Sequence, residues 1–157
     1  MKKSLLWMFL MAAVLTMGLV SCAGAEEGES WDTWVMRNQL NSDWGLGQIK
    51  VDGEWRGMDE EGFDFYLTLN LHAEGRRFEV DRFYYKDGRA DESTRVEKTG
   101  IYTIDEASKT IELTDSEGNR FLRLSNIQFE TGSMSATVLF YDLDKTYDIS
   151  LNRTARL

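Results

Sequence analysis

The sequence has no proline, one cysteine (Cys22) and one histidine (His72) in 157 residues. A single cysteine excludes a disulfide within the chain. A single histidine excludes the paired imidazoles of familiar metal sites. With one histidine and a lone cysteine at the end of the N-terminal apolar run, the usual nucleophile constellations lack support too. Basic residues are scarce: 18 Lys and Arg stand against 27 Asp and Glu, for a net charge of −9. Such a surface repels phosphate backbones and argues against a nucleic-acid partner. The uncharged apolar run Leu5 to Val20 is shorter than the ~20 residues that a membrane-crossing helix needs. Nothing in the sequence accounts for the missing proline.

What is present begins with an address label. Lys2 and Lys3 precede the apolar run, and Leu19-Val20-Ser21-Cys22 follows it. A charged start, a short apolar stretch and small residues before a cut site describe a secretory signal over residues 1–21. Leu-Val-Ser-Cys resembles the lipobox of bacterial lipoproteins. That resemblance implies cleavage before Cys22 and lipid attachment to it, and so a protein anchored in the envelope of a Gram-negative bacterium, at the outer membrane. The alternative is an ordinary signal peptide with an incidental cysteine. Cleavage removes Lys2 and Lys3 and no acidic residue, so the net charge of −9 becomes −11. Ala23 to Glu29 is small and acidic and reads as a tether. It is also similar to the surface-export signal of some Gram-negative lipoproteins. Ser30 is placed to cap a short helix through Asn38, with Trp31, Trp34 and Val35 on one face. That face either covers one flank of the domain or meets a partner. Residues 22–45 thus form a lipidated N-terminus, tether and helix, ahead of a domain over 46–157.

From there the chain reads as β. Phe63 to His72 alternates apolar and polar residues throughout, the mark of a strand with one buried face. Seven more alternating segments are predicted at 53–58, 76–86, 94–104, 110–114, 119–127, 134–140 and 147–151, separated by turn chemistry such as Lys86-Asp87-Gly88-Arg89. Eight strands with short connections and no intervening helix imply sequential antiparallel pairing. Their apolar faces must meet, and closing the sheet removes two exposed edges. The expected fold is all-β, an eight-stranded antiparallel up-and-down barrel with a short N-terminal helix. A two-sheet sandwich is the alternative.

Gly53-Glu54-Trp55 looks like the G-x-W that opens the first strand of lipocalins and fatty-acid-binding proteins. Gly100-Ile101-Tyr102-Thr103-Ile104 and Ile111-Glu112-Leu113 are similar to the mid-barrel segment of bacterial lipocalin-like lipoproteins. The resemblance implies that Trp55 packs against Arg153, at the end of the last strand, to close the barrel. It also implies an interior for a small apolar or amphiphilic ligand. Phe65, Leu67, Val80, Tyr102, Leu124 and Val138 are the candidate lining residues. Arg82 and Lys98 interrupt apolar phases. A register that sets Tyr84 opposite Val96 places them face to face, where an anionic head group would offset two like charges. A bulge, or side chains that snorkel to the barrel mouth, is the plainer reading.

Catalysis has little support. His72 falls in the outward phase of its strand, and Asp59-Glu60-Glu61 and Asp142 with Asp144 read as solvated turns rather than a calcium loop. The expectation is a non-enzymatic protein without metal or cofactor. Two functions remain open: a ligand-binding barrel, or a filled barrel that meets an envelope protein partner. An open interior supports the first and a packed interior the second.

Overall fold

The structure, a computed structural model, describes residues 28–37, 40–57, 62–72 and 75–154. The signal segment, Cys22 and most of the tether lie outside the described residues. So do Asn38, the Asp59-Glu60-Glu61 turn and the side chain of His72. Helix α1 (Trp31–Arg37) starts where Ser30 caps it. The Ser30 hydroxyl accepts the Thr33 N–H at 3.2 Å, satisfying a donor that the first turn leaves without a partner.

Nine strands follow: β1 (Asp43–Val51), β2 (Glu54–Gly57), β3 (Phe63–His72), β4 (Gly75–Lys86), β5 (Arg89–Asp105), β6 (Thr110–Asp115), β7 (Arg120–Glu130), β8 (Ser133–Phe140) and β9 (Lys145–Thr154). Eight of them, β1 and β3 to β9, pair antiparallel in chain order, and β9 returns to β1. Leu46 faces Leu151 and Ile49 faces Ile149 across that closing pair. The molecule is therefore an up-and-down barrel with one extra outer strand and a short N-terminal helix, not a sandwich. Closure leaves no row of unpaired backbone along β9.

The first barrel strand differs from the sequence reading, which sets Gly53–Met58 there. β1 occupies the place instead, beginning inside the stretch assigned to the N-terminal segment. The reason is a bulge. The β1–β9 register shifts between Leu46 and Gln48, so the inward residues Trp44, Leu46 and Ile49 do not keep period 2. A Cβ at Gly47 would lie 2.5 Å from the Asn152 side chain. Residues 54–57 form β2, which pairs only with β1. Asp52 and Gly53, both at positive φ, make the tight turn between them.

Inward and outward faces differ sharply in polarity. β6 and β8 alternate buried and partly exposed residues along their whole length, and their buried apolar residues belong to one hydrophobic core. Outward positions carry Thr68, Glu79, Glu97, Glu112, Thr137 and Asp148. A membrane-spanning barrel has the reverse arrangement. Among the described residues, no helix is long and apolar enough to cross a membrane.

One end of the barrel is closed by α1. Trp34 meets Phe129 edge-on at 6.0 Å, Asp32 pairs with Arg76, and Val35 and Leu40 are fully buried. Trp31 is partly buried against the same core. The helix face read as either a cover or a partner patch is packed here as a cover. Close approach of β5 and β6 depends on Gly100. A Cβ there would sit 2.0 Å from the Thr114 carbonyl oxygen and 2.9 Å from the Phe78 ring.

Candidate functional site

The six residues expected to line a cavity all point inward, and their accessibility decides what the interior is. Phe65, Leu67, Leu124 and Val138 are 0% exposed, Tyr102 2% and Val80 4%. A cavity wide enough for even one water molecule would leave its walls accessible to water-sized contact. These walls touch only protein. Phe65 packs edge-on against Phe140 at 5.3 Å, and Phe78 stacks parallel to Phe121 at 6.5 Å. Burial raises the Tyr102 phenol above its ordinary pKa, since the charged form would lack water.

Opposite α1 lies the mouth, where ligand-binding barrels of this size open. Here it is stoppered. Phe63 contacts Tyr84 at 5.3 Å, Phe140 at 6.1 Å and Tyr147 at 6.0 Å. Arg82 reaches in among them and is 2% exposed. Its guanidinium lies over Phe140 at 4.9 Å and near Phe121 at 5.9 Å. The turn between β8 and β9 supplies its counter-charge: Nη1 donates to Asp142 Oδ1 at 3.0 Å, and Nη2 donates to Oδ2 of the same carboxylate. This bidentate fork matches the planar guanidinium. The Arg82 Nε is buried without a partner among the described residues.

Lys98 is not opposite Arg82. Val96 faces Arg82 and Val80 faces Lys98, and the register shifts between Arg82 and Tyr84. The face-to-face pairing of Arg82 and Lys98 expected from sequence is thus corrected. Each cation has its own carboxylate. Lys98 Nζ lies 3.2 Å from Asp115 Oδ2, and Asp115 Oδ1 accepts the backbone N–H groups of Glu117 and Asn119 at 3.0 and 2.8 Å. The Asn119 bond, above all, holds the Asp115 carboxyl below its ordinary pKa against the opposing effect of burial. An anionic ligand is not needed to balance either charge.

The closing tryptophan also moves. Arg153 lies over Trp44, 5.6 Å from the ring centroid, and these two residues face each other across β1 and β9. The Trp44 indole N–H donates to the Leu40 carbonyl at 3.1 Å. Trp55, expected in this role, stands on β2 with 44% exposure, and Lys50 approaches its ring at 5.8 Å. The lipocalin-like pairing of a first-strand tryptophan with a last-strand arginine is present, on a different tryptophan from the one in the G-x-W triplet.

Sequence reasoning missed Trp44, Phe121 and Asp142. Trp44 was hidden by the bulge at Gly47. Phe121 and Leu122 are adjacent yet both buried, because the β6–β7 register shifts beside them. Asp142 carries no periodic signal, since a turn residue reaches its partner only through the fold.

The outer wall has its own features. Tyr66 and Tyr85 are 40% and 37% exposed and flank a buried Phe83, with Tyr66 stacked on Phe83 at 6.5 Å and Tyr85 edge-on to it at 5.4 Å. Beneath them Asp64, itself buried, accepts the Tyr85 hydroxyl at 2.9 Å and the Phe65 N–H at 2.8 Å. Burial, followed by the charge of Asp64, raises the Tyr66 pKa. No protein-family model matches this chain, and no curated protein does; what the geometry establishes is an eight-stranded barrel of the general lipocalin-like kind.

Proposed function

We propose that this chain is a lipid-anchored envelope protein, non-catalytic, whose barrel is a filled scaffold that acts through its outer surface. The observation that carries this reading is the inaccessible interior: Phe65, Leu67, Leu124 and Val138 have no exposed surface. A small apolar or amphiphilic guest would have to displace the aromatic cluster at the mouth and the Arg82–Asp142 pair. What remains available to a partner is the wall, where Trp55, Tyr66, Tyr85 and Ile101 are the exposed large apolar side chains among the described residues. Such groups are enriched where proteins meet other molecules. The lipobox and the lone Cys22 support the anchor and the envelope location, and the acidic tether supports a domain held away from the membrane.

One measurement tests both parts. Native mass spectrometry of the protein extracted in detergent reads the covalent mass and any retained small molecule together. The expected species starts at Cys22, carries acyl chains and holds no stoichiometric ligand. A retained apolar molecule would overturn the filled barrel, and an unmodified Cys22 would overturn the anchor.

A further inference from the structure

β2 is not needed to close the barrel, because β1 pairs with both β3 and β9 without it. It nonetheless holds the indole of Trp55 on the outer wall, 44% exposed. Beside that ring the wall of β7, β8 and β9 sinks into a hollow of about 270 Å³, lined by Trp55, Asn126, Gln128, Ser135, Thr137 and Asp148. Its polar groups are linked. Asn126 Nδ2 donates to Thr137 Oγ1 at 3.2 Å, and Thr137 Oγ1 donates to Asp148 Oδ1 at 2.7 Å. This arrangement leaves the Asn126 carbonyl oxygen and the second Asp148 oxygen as acceptors, with the Gln128 amide beside them.

The backbone is shaped to put these groups there. Asn126 has φ of 50°, and the β7–β8 register shifts between Ser125 and Gln128. In a regular strand Asn126 would share the inward phase of Leu124; the bulge keeps it exposed instead. Bulges and left-handed non-glycine residues concentrate where a side chain is aimed at a task.

We propose that this hollow binds one pyranose ring of a neutral glycan. A pyranose has an apolar C–H face that stacks on an aromatic ring, and a rim of hydroxyls that both donate and accept. The indole supplies the platform, and amides, hydroxyls and a carboxylate supply matching donors and acceptors. An anion would be repelled by Asp148, and an apolar guest would leave the Asn126 carbonyl oxygen, the second Asp148 oxygen and the Gln128 amide without water. The volume is below the roughly 300–1,000 Å³ of drug-sized sites, so it suits a single ring with its neighbours running along the open wall. This inference rests on the reading that the protein acts through its outer surface.

The test is saturation-transfer NMR and calorimetry on the full chain in detergent micelles, with cellotriose, maltotriose and the N-acetylglucosamine trimer as probes. At least one trisaccharide is expected to bind and to shift the Trp55 indole N–H resonance. Trp55→Ala and Gln128→Ala, both at exposed positions, should each weaken that binding by about tenfold, with melting temperature unchanged. No binding by any probe, or binding that survives Trp55→Ala, would overturn the site. Either result leaves the filled barrel standing, since that rests on the retained-ligand measurement.

Discussion

Trp44 and Trp55 present the same ring in opposite settings, 1% and 44% exposed. Trp44 fills the closed end of the barrel, donates to Leu40 and lies under Arg153. Trp44→Ala should cost about 3–5 kcal/mol in urea unfolding, the usual result of emptying a large core site. Trp55→Ala should stay within about 0.5 kcal/mol, as for most surface changes; equal losses would contradict the assignment of the closing tryptophan. Arg82 gives a second contrast. Its side chain is 3% exposed while that of Asp142 is 36% exposed, so solvent screens one partner and not the other. Asp142→Ala strands a buried guanidinium and should cost about 1–3 kcal/mol. Replacing both together, Arg82→Met with Asp142→Leu, should recover most of that loss. A double-mutant cycle by chemical denaturation checks it, and additive losses would mean that the pair is not coupled.

Strand packing places its own demands on glycine. The groups facing Gly100 are the Thr114 carbonyl, the Asp115 Cα and the Phe78 ring, and two of the three are backbone. Gly100→Ala should therefore push β5 from β6 and cost at least the roughly 1–3 kcal/mol of an overpacked core. Gly57 lies on β2, where a methyl group would meet nothing within 4 Å beyond its own chain neighbours, so Gly57→Ala should be close to neutral. Thermal melts of the two variants side by side decide the point. The same region is tied laterally by Glu112. It accepts from Arg123 Nε at 2.8 Å and from the Tyr141 hydroxyl at 3.3 Å, and Arg120 joins the same carboxylate. β6, β7 and the turn after β8 are thereby linked on the outer wall.

Glu112, and Asp115 beside Lys98, contribute to the acid limit of the barrel. Burial pushes Glu112 up, but the bonds from Arg120, Arg123 and Tyr141 outweigh it and hold the group below its ordinary value of 4.5. Asp115 lies below 3.8 for the reasons given above. A carboxyl whose folded-state pKa is depressed stabilises the fold above its unfolded value, and that stability is lost as pH falls through the folded value. Unfolding free energy should hold from neutral pH down to the ordinary carboxyl range and then decline. Glu112→Gln should flatten that decline. Urea titrations at stepped pH measure it, and a fold that gained stability on acidification below that range would contradict the assignment.

The all-β class, the run of alternating strands from Phe63 onward and the inward direction of Phe65, Leu67, Val80, Tyr102, Leu124 and Val138 were legible in the chain alone. Side-chain direction along a strand is a local property with a period of two residues, so a single sequence displays it. Whether the interior is open is settled only in three dimensions. It depends on side-chain volumes summed from strands on opposite walls, which alternation does not report. The partners of the charged residues are settled there too, because Arg82 and Asp142 meet across a sequence separation of 60. Four register shifts did the rest. The shift at Gly47 hid β1 and with it Trp44, the β4–β5 register sets Arg82 against Val96 instead of Lys98, the shift in β6–β7 buries Phe121 beside Leu122, and the shift near Asn126 set an amide on the outer wall. Each of these shifts offsets the register by an odd number of residues, and in a sheet an odd offset moves a side chain from one face to the other.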